Sequence, residues 1–272
     1  MQSKSLERCC YICCAGAFGV FLRWLQNQTA FNEAGLADKS VFHVLVVLFI
    51  LAAAFVFLRF VDRDRNMLYY LPDDYCQALS NEGKLFAAAR IAAGVLMCAG
   101  SLVLLATCEA DKQASALRIL SALGFLSGIS FPLLLSAANR PVQRPRLLCL
   151  LAMFPVLLFA FWLIVGYKMN AINSVLWSYA IEIVTSIVAM LAFFHIAGFA
   201  FGAPNGERSI FMSMLGGVLC LMSLADENYF GMHMMLIAAA MMLIIYNWIM
   251  VKNLRQKTKT PEVQPEDGFD RL

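Results

Sequence analysis

The chain has 272 residues, of which 61% are hydrophobic and 14% charged, with a formal net charge of +3. A soluble domain of this size carries about a quarter charged residues and fewer than half apolar ones, so a water-soluble fold is excluded, and the small net charge gives no footprint for nucleic acid. The apolar excess is gathered into runs of roughly 20 residues, the length that crosses a hydrocarbon core of about 30 Å.

The sequence predicts an all-α, polytopic transmembrane helical bundle with eight spans, at about 9–25, 41–60, 85–107, 114–138, 147–167, 174–202, 209–225 and 229–251. The first opens on "CCYICC", which places Cys9, Cys10, Cys13 and Cys14 within two helical turns. Together with Met232, His233, Met234 and Met235 at the start of the last span, these thiols would suit a soft ion such as Cu(I). No ladder of thiols or thioethers joins the two ends, so no metal site is expected. Ala15-Gly16-Ala17 resembles a signal-peptide cleavage site, but the apolar stretch before it is short and cysteine-rich, and the span is read as retained. The nine cysteines fall mostly inside apolar runs and give no disulfide framework. Arg23 closes this span, followed by the polar run Gln26-Asn27-Gln28-Thr29.

After the second span come Arg63, Asp64 and Arg65, and a connection at 61–84 whose alternating charges lie beside Tyr69, Tyr70 and Tyr75. That pattern predicts a short interfacial helix rather than a metal site. Ser127 in the fourth span and His195 in the sixth lie at different depths and do not make a catalytic pair. Arg140, Arg144 and Arg146 follow the fourth span, as a topology signal with anionic lipid headgroups as an alternative role.

The sixth span carries both Glu182 and His195. Thirteen residues on a helix are about 20 Å of rise and about 220° of rotation, so the two cannot touch. His195, on one face with Gly198 and Gly202, is expected at a close helix crossing with one interhelical hydrogen bond. Glu182 shares its face with Thr185, Ser186 and Ala189. An intramembrane carboxylate costs about 2.5–3.5 kcal/mol on insertion scales, so Glu182 must face protein or water. Among Arg23, Arg118 and Lys168, depth matching favours Arg23 as its partner. The expected ligand-binding group is therefore Glu182, Arg23, Thr185 and Ser186, with a structural ion pair or a protonated acid as the alternative.

The short seventh span, with Ser213, Gly216, Gly217, Cys220 and Ser223, is expected in the bundle interior, and Asp226-Glu227-Asn228 makes a tight connection to the eighth. Trp24, Trp162, Trp177 and Trp248 fall near span ends, as interfacial anchors do. Residues 1–251 read as one transmembrane domain and 252–272 as a disordered cytoplasmic tail. Of the 21 Lys and Arg, all but Arg23, Lys39, Lys112, Arg118 and Lys168 lie on one side of the threaded chain, which puts both termini in the cytoplasm.

The segments "LRWLQNQTAFNEAGL" (22–36), "FFHIAGFAFG" (193–202) and "MSLAD" (222–226) resemble a group of multi-spanning membrane proteins from anaerobic Gram-positive bacteria. That group has no established activity; the resemblance implies a bacterial plasma membrane and nothing about chemistry. The expected function is a small-molecule transporter or the membrane subunit of a transport complex. The alternative is a non-catalytic scaffold or sensor that binds another membrane protein. One acid and scattered histidines do not make a reaction centre, so no catalytic residue, metal or cofactor is expected. The expected partners are the bilayer, anionic headgroups at the cytoplasmic face and other membrane subunits.

Overall fold

A computed structural model describes residues 2–30, 40–81, 83–108, 114–139, 145–170 and 176–256. Most of them are helical: α1 (Gln2–Thr29), α2 (Ser40–Asn66), α3 (Tyr75–Leu79), α4 (Lys84–Thr107), α5 (Ala114–Ala137), α6 (Pro145–Asn170), α7 (Leu176–Ala200), α8 (Gly206–Met222) and α9 (Phe230–Lys252). Eight of these, all except α3, are long and apolar enough to cross a membrane, the pattern of a multi-pass membrane protein. Two short strands, β1 (Tyr69–Tyr70) and β2 (Arg255–Gln256), pair antiparallel.

Helix ends follow local chemistry. α2 runs past residue 60 to Asn66, with Arg63 and Arg65 in its last turn, where cations suit the negative end of the helix dipole. α7 stops at Gly202, whose φ of +72° a side chain would resist. The amide of Ala203 then returns to the carbonyl of Gly198 at 2.9 Å, closing a Schellman turn. Asn205 starts α8 by accepting the amide of Arg208 at 3.1 Å, and Glu207 sits in the first turn.

Packing relations form a closed ring: α4 lies on α5, α5 on α6, α6 on α7, α7 on α8, α8 on α9, and α9 returns to α4. α1 packs outside this ring on α8 and α9, and α2 packs on α1. Burial grades accordingly, from 72% of the apolar window in α9 and 67% in α8 to 22% in α2. The interior position expected for the seventh span is therefore observed.

Two glycine contacts bring α4 against its neighbours. A Cβ on Gly94 would stand 2.6 Å from the carbonyl of Gly128 on α5, and one on Gly231 of α9 would stand 2.5 Å from the carbonyl of Gly100. Inside the ring, Phe131, Phe193, Phe159 and Trp162 stack in series with centroids 5.7 Å apart at each step. Trp162 is only 1% exposed and serves the core rather than an interface. Trp24 is exposed, as an anchor should be, and Trp248 rests against Phe86. The side chain of Trp177 lies outside the described residues.

Both described chain ends meet at one end of the bundle, the terminal end. There Arg8 of α1 forms a buried pair with Asp64 of α2, and Lys4 lies 3.7 Å from the same carboxylate and 4.0 Å above the ring of Tyr69. Arg8 is thus a structural partner as well as a topology charge. β2 pairs with β1, and Asn253 donates to the carbonyls of Ala78 and Ser80 at 2.9 and 3.0 Å. The first residues of the expected tail, 252–256, are therefore ordered against the 61–84 connection; residues 257–272 lie outside the described residues. The interfacial helix expected in that connection is the single five-residue turn α3, capped by Asp74. Tyr75 anchors it by donating to the carbonyl of Leu134 at 2.9 Å, and burial pushes its phenol well above the usual tyrosine range.

Candidate functional site

The opposite, far end of the bundle holds a cluster of buried polar groups built from α1, α2, α6, α7 and the α8–α9 connection. α1 delivers Arg23 and Gln26 one turn apart, both with 0% exposure. The chain beyond α8 tightens into a 3₁₀ turn at Ser223–Ala225, which tucks Asp226 inward to 8% exposure. Arg23 Nε donates to Asp226 Oδ1 at 2.6 Å, and Arg23 Nη1 donates to Gln26 Oε1 at 2.6 Å. The Gln26 amide continues the chain to His43 Nδ1 on α2. Asn27 adds a bond to the carbonyl of Ala225 at 2.8 Å.

From Asp226 the chain also runs toward α7. Ser223 Oγ donates to Asp226 Oδ2 at 3.2 Å and lies 3.1 Å from Thr185 Oγ1, which is also 3.3 Å from the carbonyl of Leu219. Glu182 is one helical turn before Thr185. Its Oε1 accepts the indole N–H of Trp162 on α6 at 3.0 Å, and a Cβ on Gly166 would stand 3.5 Å from the same oxygen. Glu182 is 8% exposed and Ser186 3%.

The structure therefore brings Glu182, Arg23 and Thr185 to one end, with Ser186 buried on the same helix, but it corrects the pairing. Arg23 takes Asp226 as its carboxylate, and among the described residues Glu182 meets no cation. The reason is reach. The 3₁₀ turn places an acid directly against Arg23, while Glu182 is directed at α6 by the glycine gap at Gly166 and the indole beside it. Among the described residues, Arg23 leads through Asp226 and Ser223 to Thr185, one turn from Glu182, so depth matching identified the right end but not the contact.

From sequence, Asp226 reads as part of a connection, Gln26 as part of a polar run and Trp162 as an interfacial anchor, not as members of this cluster, and His43 is not singled out. Asp226 had one usable signal: it is the first charged residue after the small-residue helix that the bundle buries. His195 makes its interhelical bond through its backbone carbonyl, which accepts Ser209 Oγ at 3.1 Å, while its ring meets Phe194 edge-on. Gly202 ends α7 instead of packing against a neighbour. Ser127 Oγ is turned onto its own helix, donating to the carbonyl of Leu123 at 2.7 Å. Among the described residues no group of three His, Cys, Asp or Glu is placed to hold a metal ion.

Two clefts open at the terminal end. One of about 700 Å³ lies between α3, the end of α5 and the end of α9; the other, of about 330 Å³, lies between Asp64, Tyr70 and Glu207. Neither is lined by Glu182. Comparison with protein-family models, with curated proteins and with solved structures finds no match to this chain.

Proposed function

We propose that the chain is a multi-pass protein of a plasma membrane, both termini cytoplasmic, that works as a non-enzymatic membrane subunit binding another membrane protein, such as a component of a transport complex. One observation carries this reading: the far-end polar groups are engaged with one another. Arg23 meets Asp226, Gln26 meets His43, Thr185 meets Ser223, and Trp162 meets Glu182. A network of this kind fixes the relative positions of the helices that carry it. The aromatic stack that runs from Phe131 to Trp162, against Glu182, is buried between α5, α6 and α7, which suits a rigid body better than a passage. α2 offers a broad helical face for a partner helix, with Leu48, Leu51 and Phe55 all more than half exposed. Photo-crosslinking residues at positions 48 and 55 are expected to give a discrete protein adduct in cells; adducts to lipid alone would count against the subunit.

A second reading is favoured by Glu182 itself. A carboxylate with one neutral donor, beside Thr185 and Ser186 and one turn from a hydroxyl chain, is the kind of intramembrane group that binds or moves a proton or small polar solute. Proteoliposomes of the purified protein decide between the two. A proton or solute flux that Glu182→Gln abolishes would replace the subunit reading with transport.

A further inference from the structure

The larger terminal-end cleft has the chemistry of an anion site. Lys252 closes α9 with its ammonium 3.2 Å from Asn81 Oδ1, a neutral acceptor. Arg255 follows on β2, held in register opposite Tyr70. Both line the cleft, and among the described residues its lining includes no Asp or Glu and neither cation meets a carboxylate. At the same end Lys4 and Arg8 share Asp64, so two cations there are compensated within the chain, whereas these two have no such partner among the described residues.

Asn81 supplies the second, independent observation. Its residue is 9% exposed, and Oδ1 accepts from both Lys252 Nζ and the amide of Gly83, which fixes the orientation of the amide group. Nδ2 is then a buried donor without a hydrogen-bond partner. An unsatisfied buried donor is destabilising, and Asn81 lines the cleft, so an acceptor oxygen bound there and reaching this amide removes that cost. Asn139 and Ser80 add further polar groups at the rim. The volume of about 700 Å³ is ample for a phosphate and a small alcohol esterified to it.

We infer that this cleft binds a phosphate group, with Lys252 and Arg255 neutralising its charge and Asn81 donating from below. Its position just past the ends of α5 and α9 is where lipid phosphates lie if these helices span a bilayer, so a phospholipid headgroup and a free phosphate share the chemistry. The inference rests on the membrane reading but is independent of whether the protein transports or scaffolds.

Thermal unfolding of the full-length protein in a neutral detergent tests it, with phosphatidylglycerol, phosphatidylcholine and inorganic phosphate as separate additions. At roughly tenfold excess over Kd, occupancy raises Tm by about 3–6 °C. Phosphatidylglycerol is expected to do so, and Lys252→Gln with Arg255→Gln is expected to remove at least two thirds of the shift. Arg59→Gln with Arg63→Gln, which neutralises two exposed charges at the same end outside the cleft, is expected to keep it. If inorganic phosphate gives an equal shift with the same variant dependence, the site takes a soluble phosphate and the inference stands. No shift with any addition, a shift from phosphatidylcholine as large as that from phosphatidylglycerol, or equal loss in both double variants would overturn it. Should the cleft double variant fail to fold, Arg255→Gln alone, at an exposed position, carries the comparison and is expected to lose at least a third of the shift; full retention would overturn the site. Release of the wild-type protein from membranes by alkaline carbonate, without detergent, is a separate outcome that would sink the membrane reading instead.

Discussion

Arg23 and Asp226 stand 203 positions apart in the chain, yet their pairing decides how the far end is held. Each buried charge alone is expensive, so Arg23→Leu or Asp226→Leu is expected to destabilise by about 3–5 kcal/mol. The double variant, leaving no orphan charge, should recover most of that loss. Unfolding in mixed micelles measures the cycle; strict additivity of the two single costs would mean the pair is not coupled. Glu182 is bound differently, by the indole of Trp162. Trp162→Phe keeps a ring against Phe159 but removes the donor, and a cost of about 1–3 kcal/mol is expected. Adding Glu182→Leu should bring the stability back toward wild type, because neither partner is then left unsatisfied; a further large loss on the same unfolding titration would show that Glu182 has another essential contact. These contacts mark the limit of what could be read from the sequence. Depth along a helix follows from counting residues, so Glu182 and Arg23 were placed at the same end. Side-chain reach in the connection does not follow from counting: the 3₁₀ turn that folds Asp226 inward, and the gap at Gly166 that turns Glu182 toward α6, depend on which helices are neighbours.

Helices in lipid gain little from burying apolar surface against one another, so their association relies on close approach and interhelical hydrogen bonds. The glycines of α4, α5 and α9 provide that approach more tightly than those of α8. A Cβ at Gly231 would meet the Gly100 carbonyl at 2.5 Å and the Leu104 amide nitrogen at 2.6 Å, whereas one at Gly217 would meet only side-chain carbons at 3.3 and 3.7 Å. Gly231→Ala is accordingly expected to cost about 1–3 kcal/mol through displaced backbone, and Gly217→Ala less than about 1 kcal/mol. Thermal unfolding of the two variants side by side checks this; the reverse order would mean that α8, not the α4–α9 crossing, is the tight seam. The small residues of α8 were legible because Gly216, Gly217 and Ser213 stand out in a short span. The α4–α9 seam was not, since Gly100 and Gly231 are isolated glycines in ordinary apolar runs and only their juxtaposition gives them meaning. α1 shows a third case. Arg8 and Arg23 lie 15 residues apart, about 22 Å along the helix, and each is paired to a carboxylate from elsewhere in the chain. That fastens α1 at both ends, which no feature internal to its sequence announces.

At the scale of the whole molecule, the alternation read from Lys and Arg requires every second connection to lie at one end. The bundle meets that requirement: Lys4 touches Asp64, Asn253 holds Ala78 and Ser80, Asn139 and Asn81 exchange hydrogen bonds, and Gly206 packs on Leu71. The N-terminal segment, the 61–84 connection, the end of α5, the start of α8 and the end of α9 therefore share one face. An odd number of spans would have separated the termini. The side of the membrane on which this shared face is expected follows from its cations, because translocating a Lys- or Arg-rich segment is disfavoured and the threading read from the sequence leaves only five of the 21 on the other side. Single cysteines introduced in a background with the native cysteines replaced test the orientation in intact cells. Lys257→Cys and Arg63→Cys are expected to stay unreactive toward a membrane-impermeant maleimide until the cells are permeabilised, and Lys168→Cys, at the opposite end of α6, is expected to react at once. Labelling of both 257 and 63 before permeabilisation, with 168 protected, would invert the molecule in its membrane while leaving the bundle intact; labelling of 257 without 63 would contradict the strand pairing that ties Arg255 to Tyr70.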